Sequence, residues 1–243
     1  MRAKFLPCGD CAVTVNFGNE INRQTNRRVT EFTAAAEKAK IPGAVEYIPA
    51  FCSVTVIYDP LKTTQKELIR SLKKAQKNGA GESEFKPVLY KIPVCYDGEF
   101  APDMQSVEEI TKLPKEEIIK IHTGRDYPIY MLGFLPGFAY LGDMDERIAA
   151  PRLEVPRVKI ERGSVGIGGN QTGIYPSDSP GGWRLIGKTP VRVYDERKES
   201  PILYRAGDQI RFYRITKDEF YEIDRKCESG EYAAEREEVR REH

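Results

Sequence analysis

Between Pro128 and Tyr194 glycine and proline crowd the chain, yet tyrosine, phenylalanine, tryptophan and valine run between them. That mixture limits what the stretch can become. A flexible linker would lack the large apolar residues. A helix would be broken several times over at this density of glycine and proline. Short buried strands joined by tight turns satisfy both constraints. Glycine turns also let backbone N–H and C=O groups approach whatever sits in a concavity. A small-molecule site is therefore expected here.

The remaining bounds are broad. At 243 residues the chain can form one large domain or two small ones with a real core. A formal net charge of +1 gives no electrostatic footprint for nucleic acid or an anionic membrane. No apolar run approaches the roughly 20 residues that span a bilayer, and the N-terminus lacks the apolar core of a signal peptide. A cytoplasmic location is expected. Five cysteines, scattered and odd in number, argue against a disulfide framework. Cys8 and Cys11 form a C-x-x-C, but a structural zinc site would need a second pair or a nearby histidine, and a redox pair should open a helix. The residues after Cys11 alternate as a strand instead, so a turn is expected and no metal site.

Read in order, residues 3–18 predict a strand, a Gly9-Asp10 turn and a second strand. Helical spacing follows from Ile21 to Lys40, stopped by Pro42-Gly43. Two strands flank a kink near Pro49. Thr64 and Glu67 form a capping box for a second helix ending at Gly79. The order ββαββα suggests a small α/β sandwich with helices on one face of an antiparallel or mixed sheet. Polar residues 79–84 read as a linker. Beyond it PVLYKIPVCY reads as a strand, Ser106 and Glu109 as a second capping box, and Pro114 as the opening of a short helix closed by Gly124. VRVYD, ILYRAGD and IRFYRI are the clearest late strands. The fold class expected is α+β: an N-terminal α/β domain over 1–80, a β-barrel domain over 87–220, and a charged, helical tail over 221–243.

Three motifs invite chemistry. Residues 182–189 match the Walker A pattern letter for letter, but Trp183 to Ile186 favour a strand and Pro190 forbids the helix that should follow. Ser164 lies in an incomplete nucleophile elbow, with no interior histidine downstream of it, although His122 upstream could still meet it in space. What remains is a set of polar residues among the glycines: Arg152, Arg157, Gln171, Thr172, Tyr175 and Ser179. Arginine offers a planar fork for a carboxylate, and glutamine both donates to and accepts from an amide. His122 ends a predicted helix, where the dipole favours its charged form. These types suit a small polar ligand with amide and carboxylate groups; solvated arginines and a turn glutamine are the bland alternative.

GFLPGFAYLGDMDERIAAPR (133–152) and GSVGIGGNQTGIYPSDSPGGWRLIGKTP (163–190) resemble the signature blocks of the allophanate hydrolase subunit 1 family, also known as the family of 5-oxoprolinase B subunits. GDCAVTVNFG and IPAFCSVTVIYDP are similar to its N-terminal blocks, so the likeness covers residues 5–215. The resemblance implies an N-terminal α/β domain followed by a cyclophilin-like β-barrel. It implies that the chain works with subunits A and C in opening 5-oxoproline to glutamate, with ATP used by the complex. His122, Arg157 and Gln171 would then be the catalytic candidates. Pro136, Arg152, Thr172, Tyr175 and Ser179 would contact substrate. The family also includes a sporulation histidine-kinase inhibitor and amidase components related to urea and allophanate, so a kinase-binding regulator and a different amide substrate remain open. One departure stands out: Ile160-Glu161-Arg162 replaces a Val-Pro-Ala-like segment, adding charge beside the expected site.

Overall fold

The computed structural model describes residues 3–78, 86–133 and 135–239. The expected linker at 79–84 lies outside the described residues. The chain divides into two compact units, Met1–Lys86 and Pro87–His243.

In the first unit, β1 (Lys4–Pro7) and β2 (Ala12–Asn16) form a hairpin, followed by α1 (Arg23–Lys38), β3 (Ala44–Pro49), β4 (Ser53–Tyr58) and α2 (Gln65–Asn78). The sheet is antiparallel throughout, in the order β1-β2-β4-β3. Period-two alternation puts Val13, Val15, Val54 and Val56 on one face, where they pack against Val29, Phe32, Leu68 and Leu72 of the helices. Asn22 caps α1 by accepting from the Thr25 N–H at 2.8 Å. The Thr64–Glu67 capping box forms as expected, with both reciprocal bonds present. Cys8 and Cys11 flank the β1–β2 turn, where Gly9 takes a φ of 64°.

The second unit opens with β5 (Val88–Cys95), then α3 (Met104–Thr111) and α4 (Lys115–Thr123). The glycine- and proline-rich stretch folds into β6 (Tyr127–Leu132), β7 (Ala139–Leu141), β8 (Arg157–Ile160), β9 (Ser164–Gly168), β10 (Gln171–Ile174), β11 (Ser179–Gly181) and β12 (Arg184–Lys188). β13 (Gln209–Ile215), α5 (Lys217–Ser229) and β14 (Glu235–Glu238) are the last elements of the described residues. The main sheet runs β10-β9-β12-β5-β13-β6-β7. Its ends approach each other: a Cβ on Gly173 of β10 would lie 3.0 Å from the Ala139 carbonyl oxygen of β7. The result is a nearly closed barrel, filled by Ile92, Val94, Ile129, Leu141, Val165, Ile167 and Phe212. β8 and β11 pair separately as a two-stranded ribbon.

Three expectations need correction. Ser106 does not cap α3. Asp103 holds the N-cap position, and the Ser106 hydroxyl, already within the helix, donates back to the Asp103 carbonyl at 2.8 Å. VRVYD and ILYR are not strands but segments joined by one bridge, Tyr194 to Ile202. Pro190 and Pro201 remove ladder donors, leaving Asp195 N–H to Pro201 O and Leu203 N–H to Val193 O. The tail beyond 220 is not a helix to the end: α5 stops at Gly230, and β14 adds to β5. β12 meets β5 only at Cys95, so the edge from Val88 to Lys91 is free to take another strand. Lys91 secures it through Glu235 and Glu237, each at 2.6 Å.

Candidate functional site

The β9–β10 hairpin separates two environments. Directly opposed residues of an antiparallel pair share a face, and successive residues alternate. Thr172 lies opposite Ile167, and Gln171 opposite Gly168. Val165, Ile167, Thr172 and Ile174 therefore face the barrel interior, while Gly166, Gly168, Gln171, Gly173 and Tyr175 face outward. The expected site residues divide along the same line.

On the inner face, His122 is fully buried at the end of α4, with its ring stacked on Phe212 at 4.6 Å. Its Nδ1 lies 2.7 Å from the Tyr96 hydroxyl and its Nε2 lies 2.9 Å from Thr172 Oγ1. The single Thr172 hydroxyl proton goes to the Gly166 carbonyl at 3.0 Å. Thr172 Oγ1 must then accept from His122, so Nε2 carries the imidazole proton and Nδ1 accepts from Tyr96. Burial pulls the His122 pKa down to about 3, which keeps the ring neutral. The expectation of a charged, proton-handling His122 is corrected on this point: desolvation outweighs the helix dipole, and both ring nitrogens are already occupied. Neither partner is Ser164. Thr172 likewise belongs to the core network, not to a ligand surface.

On the outer face, three glycines make a floor for Trp183. A Cβ on Gly168 would lie 2.4 Å from the indole Nε1, one on Gly173 3.1 Å from Cζ3, and one on Gly166 3.2 Å from Cβ. Phe138 meets Trp183 edge-on with centroids 5.5 Å apart, and Tyr175 edge-on at the same separation. Ile160 and Leu185 complete this second, smaller cluster. The β8–β11 ribbon closes one side of it. Gly181 lies opposite Arg157, and a Cβ there would sit 2.4 Å from the Tyr175 hydroxyl. Burial raises the Tyr175 pKa, opposed by the Trp183 backbone N–H and by the charges of Arg152 and Arg157. Arg152 is exposed, its guanidinium 5.9 Å from the Trp183 ring centroid.

Arg157 is held from one side. Its Nη2 donates to Asp103 Oδ1 at 2.7 Å, while Asp103 Oδ2 accepts from the Leu185 N–H at 2.7 Å. Asp103 was not expected from sequence; its signal was only its place before a helix. Arg157 Nη1 is buried and has no partner, and neither has Ser179 Oγ on the facing strand. Buried polar groups are satisfied almost everywhere in proteins, so two orphans on one ribbon beside an aromatic cluster make this surface the candidate site. Two further orphans, Arg162 Nη1 and Arg192 Nε, lie elsewhere, where both arginines reach towards Glu228 of α5. Of the expected site residues, Arg152, Arg157 and Tyr175 come together, Ser179 lies on the same ribbon opposite Ile160, and Gln171 shares the outward face of β10. Pro136 is exposed in the β6–β7 turn, outside the cluster.

The Walker-like match is structural. Residues 184–188 form β12, and Lys188 pairs with Glu161, the acidic residue of the unusual 160–162 segment. That pairing holds the Glu161 carboxyl below its usual pKa. A Cβ on Gly187 would clash with Val94 Cγ1 at 2.6 Å, so this glycine serves strand packing. Among the described residues no group of three His, Cys, Asp or Glu side chains could hold a metal ion, and no helix is long and apolar enough to cross a membrane.

A two-unit chain with a nearly closed barrel and an aromatic, arginine-flanked outer face matches a defined class. Residues 3–204 match the carboxyltransferase domain, subdomain C and D, and the chain belongs to that family. More particularly, it is 44% identical over 235 residues to the 5-oxoprolinase B subunit of Bacillus subtilis (strain 168), covering 91% of this chain and 96% of that protein. It is 35% identical over 212 residues to the 5-oxoprolinase B subunit of Escherichia coli O157:H7, covering 87% and 95%. The crystal structure of TTHA0988 superposes with a TM-score of 0.73 at 35% identity over 84% of this chain. The chain spans only 40% of TTHA0988.

Proposed function

We propose that this chain is the B subunit of an ATP-dependent 5-oxoprolinase complex, supplying one wall of a substrate site completed by subunits A and C. The observation that carries the reading is the orphan pair, Arg157 Nη1 and Ser179 Oγ, beside the Trp183 cluster. 5-Oxoproline is a small lactam with one carboxylate. Arg157, clamped by Asp103, presents its free nitrogen to the carboxylate as a charge-assisted donor. The Ser179 hydroxyl and the Gln171 amide reach the lactam, and Phe138 and Trp183 shield its ring from water. An unstrained lactam resists hydrolysis, and ATP in the complex supplies the activation of its carbonyl. The residues around Lys188 do not fit a nucleotide phosphate, so no step is assigned to ATP on this chain. The wall is open: Val155 and Val158, two and one residues from Arg157, are 82% and 91% exposed, which suits covering by another subunit.

The test is reconstitution. Phosphate release and glutamate formation are measured for this chain alone, for each candidate partner, and for the mixture. The mixture should turn over only with both ATP and 5-oxoproline, and the chain alone should be inert. Arg157→Ala should lower kcat/KM by roughly tenfold to a hundredfold, the loss of one charge-assisted bond. Turnover by the isolated chain would overturn the shared-site reading. An inert mixture that contains a chain able to inhibit a histidine kinase would return the regulatory alternative.

A further inference from the structure

The guanidinium of Arg157 occupies an unfavourable place. Its side chain is 30% exposed, and its Nη1 is buried without a partner. Among the described residues its one ion-pair partner is Asp103, at 2.7 Å. An arginine side chain is long and mobile, and left to itself it carries its charge to water. A guanidinium that stays part-buried with one nitrogen unbonded needs a fixed anion to hold it there.

Asp103 serves that guanidinium rather than its own helix. It stands at the N-cap of α3, where an aspartate usually accepts from an N–H of the first turn, yet its side chain makes no capping bond. The carboxylate is buried and turned towards β12 instead. Its Oδ2 accepts from the Leu185 N–H at 2.7 Å, and the Asp103 N–H donates to the Leu185 carbonyl at 3.0 Å. These two bonds fix Oδ1 where it meets Arg157. A further tie joins α3 to β12, the Arg184 Nη1 donating to Ser106 Oγ at 2.9 Å. Arg157 comes from β8, whose ladder partner is β11 and not a strand of the main sheet. Asp103 therefore registers the β8–β11 ribbon against β12, next to Trp183.

We infer that Asp103 is a positioning residue for the ligand carboxylate: it holds the Arg157 guanidinium by Nη2, so that Nη1 is left to bond the acid group of 5-oxoproline. This rests on the proposed 5-oxoprolinase role and adds to it a residue that touches no substrate. Asp103→Asn separates the two duties of the carboxylate. Both of its partners are donors, and a carboxamide has only one acceptor oxygen. The Leu185 N–H cannot turn to water, whereas Arg157 can. The oxygen therefore stays with Leu185, and the NH2 group faces the guanidinium and releases it.

In the reconstituted complex, Asp103→Asn should raise the KM for 5-oxoproline on the order of tenfold with kcat little changed. The acid group lies across the ring from the reacting carbonyl, so it is held alike in the ground and transition states. Added to Arg157→Ala, Asp103→Asn should have no further effect, because it acts only through Arg157. Ser106→Ala loosens the same helix without touching Arg157 and should leave KM unchanged. In the full chain alone, nitrogen NMR of the arginine side chains should show separate Nη signals for Arg157 in the wild type and averaged ones in Asp103→Asn. An inert wild-type mixture would overturn the 5-oxoprolinase reading and this inference together. With an active mixture, an unchanged KM in Asp103→Asn, a loss that persists in the Arg157→Ala background, or an equal rise in Ser106→Ala would overturn this inference alone. A freely rotating Arg157 guanidinium in the wild-type chain would overturn it as well, so the test stands even where Asp103→Asn fails to fold.

Discussion

His122 should make the second unit acid-sensitive in a way that can be isolated. In the folded chain its pKa is pulled by burial from 6.5 to about 3. In the unfolded chain it returns near 6.5. Between those values the unfolded state binds a proton that the folded state does not, so stability is fully present above about 6.5 and falls as pH drops. The slope approaches about 1.4 kcal/mol per pH unit, giving a loss of about 2–3 kcal/mol between pH 6.5 and 4.5. Against a typical total of about 5–15 kcal/mol this is a large fraction. Carboxylates titrate over the same range, so the quantity to measure is the difference between the wild type and His122→Gln, which lacks this proton. At pH 7.5 the variant should be less stable by about 2–4 kcal/mol, having disturbed two buried hydrogen bonds and the Phe212 stack. That gap should shrink by about 2–3 kcal/mol by pH 4.5. Trp183 is the sole tryptophan and lies in the second unit, so urea unfolding followed by its fluorescence reads the relevant transition. A gap that stays constant from pH 7.5 to 4.5 would refute the buried, neutral imidazole.

Gly168→Ala should destabilise the second unit by about 1–3 kcal/mol through overpacking, because the new methyl would sit 2.4 Å from the Trp183 indole nitrogen; a wild-type urea midpoint would show that the indole does not rest there. Adjacent residues 171 and 172 should separate cleanly. Thr172→Val leaves the His122 Nε2–H buried without a partner and should cost about 1–3 kcal/mol in unfolding, whereas Gln171→Ala should leave the midpoint within about 0.5 kcal/mol and lower turnover of the reconstituted complex. Equal unfolding midpoints for the two variants would contradict the assignment of faces.

Much of this architecture was legible because local rules and tertiary packing agree. Valine alternation in β2 and β4, the Thr64–Glu67 box and the Pro42-Gly43 stop each name an element without help from elsewhere. The glycine-rich stretch was legible as strands and turns, and the Walker-like match was correctly assigned to a strand, because Trp183 to Ile186 and Pro190 speak only of local geometry. The failures share one cause: they concern which neighbour a residue meets. β14 carries Glu-Arg-Glu-Glu, with no apolar alternation to announce a strand; it exists because β12 leaves β5 half-covered and Lys91 is waiting. Ser106 reads as a cap from spacing, but Asp103 takes the position because its carboxylate is also claimed by Arg157 and the Leu185 N–H. Neither contact has a sequence signal, since 54 and 82 residues separate the partners.

The candidate site shows the same division at finer scale. Residue type alone placed His122 and Thr172 with Arg157, Tyr175 and Ser179, since all are polar and any of them could line a pocket. Strand alternation is what splits them, and it needs the register: Thr172 opposite Ile167 turns inward, Gln171 opposite Gly168 turns outward. Once the faces are known, the roles follow from satisfaction of hydrogen bonds. The inner group is closed, each donor and acceptor of the His122 network being matched by Tyr96, Thr172 and Gly166. The outer group is not, because Arg157 and Ser179 each keep a buried polar atom without a protein partner. A closed network specifies the barrel and has no bond to offer a substrate. An open one lowers stability unless something arrives to complete it, and beside Trp183 that openness falls on the β8–β11 ribbon, where Val155 and Val158 are exposed.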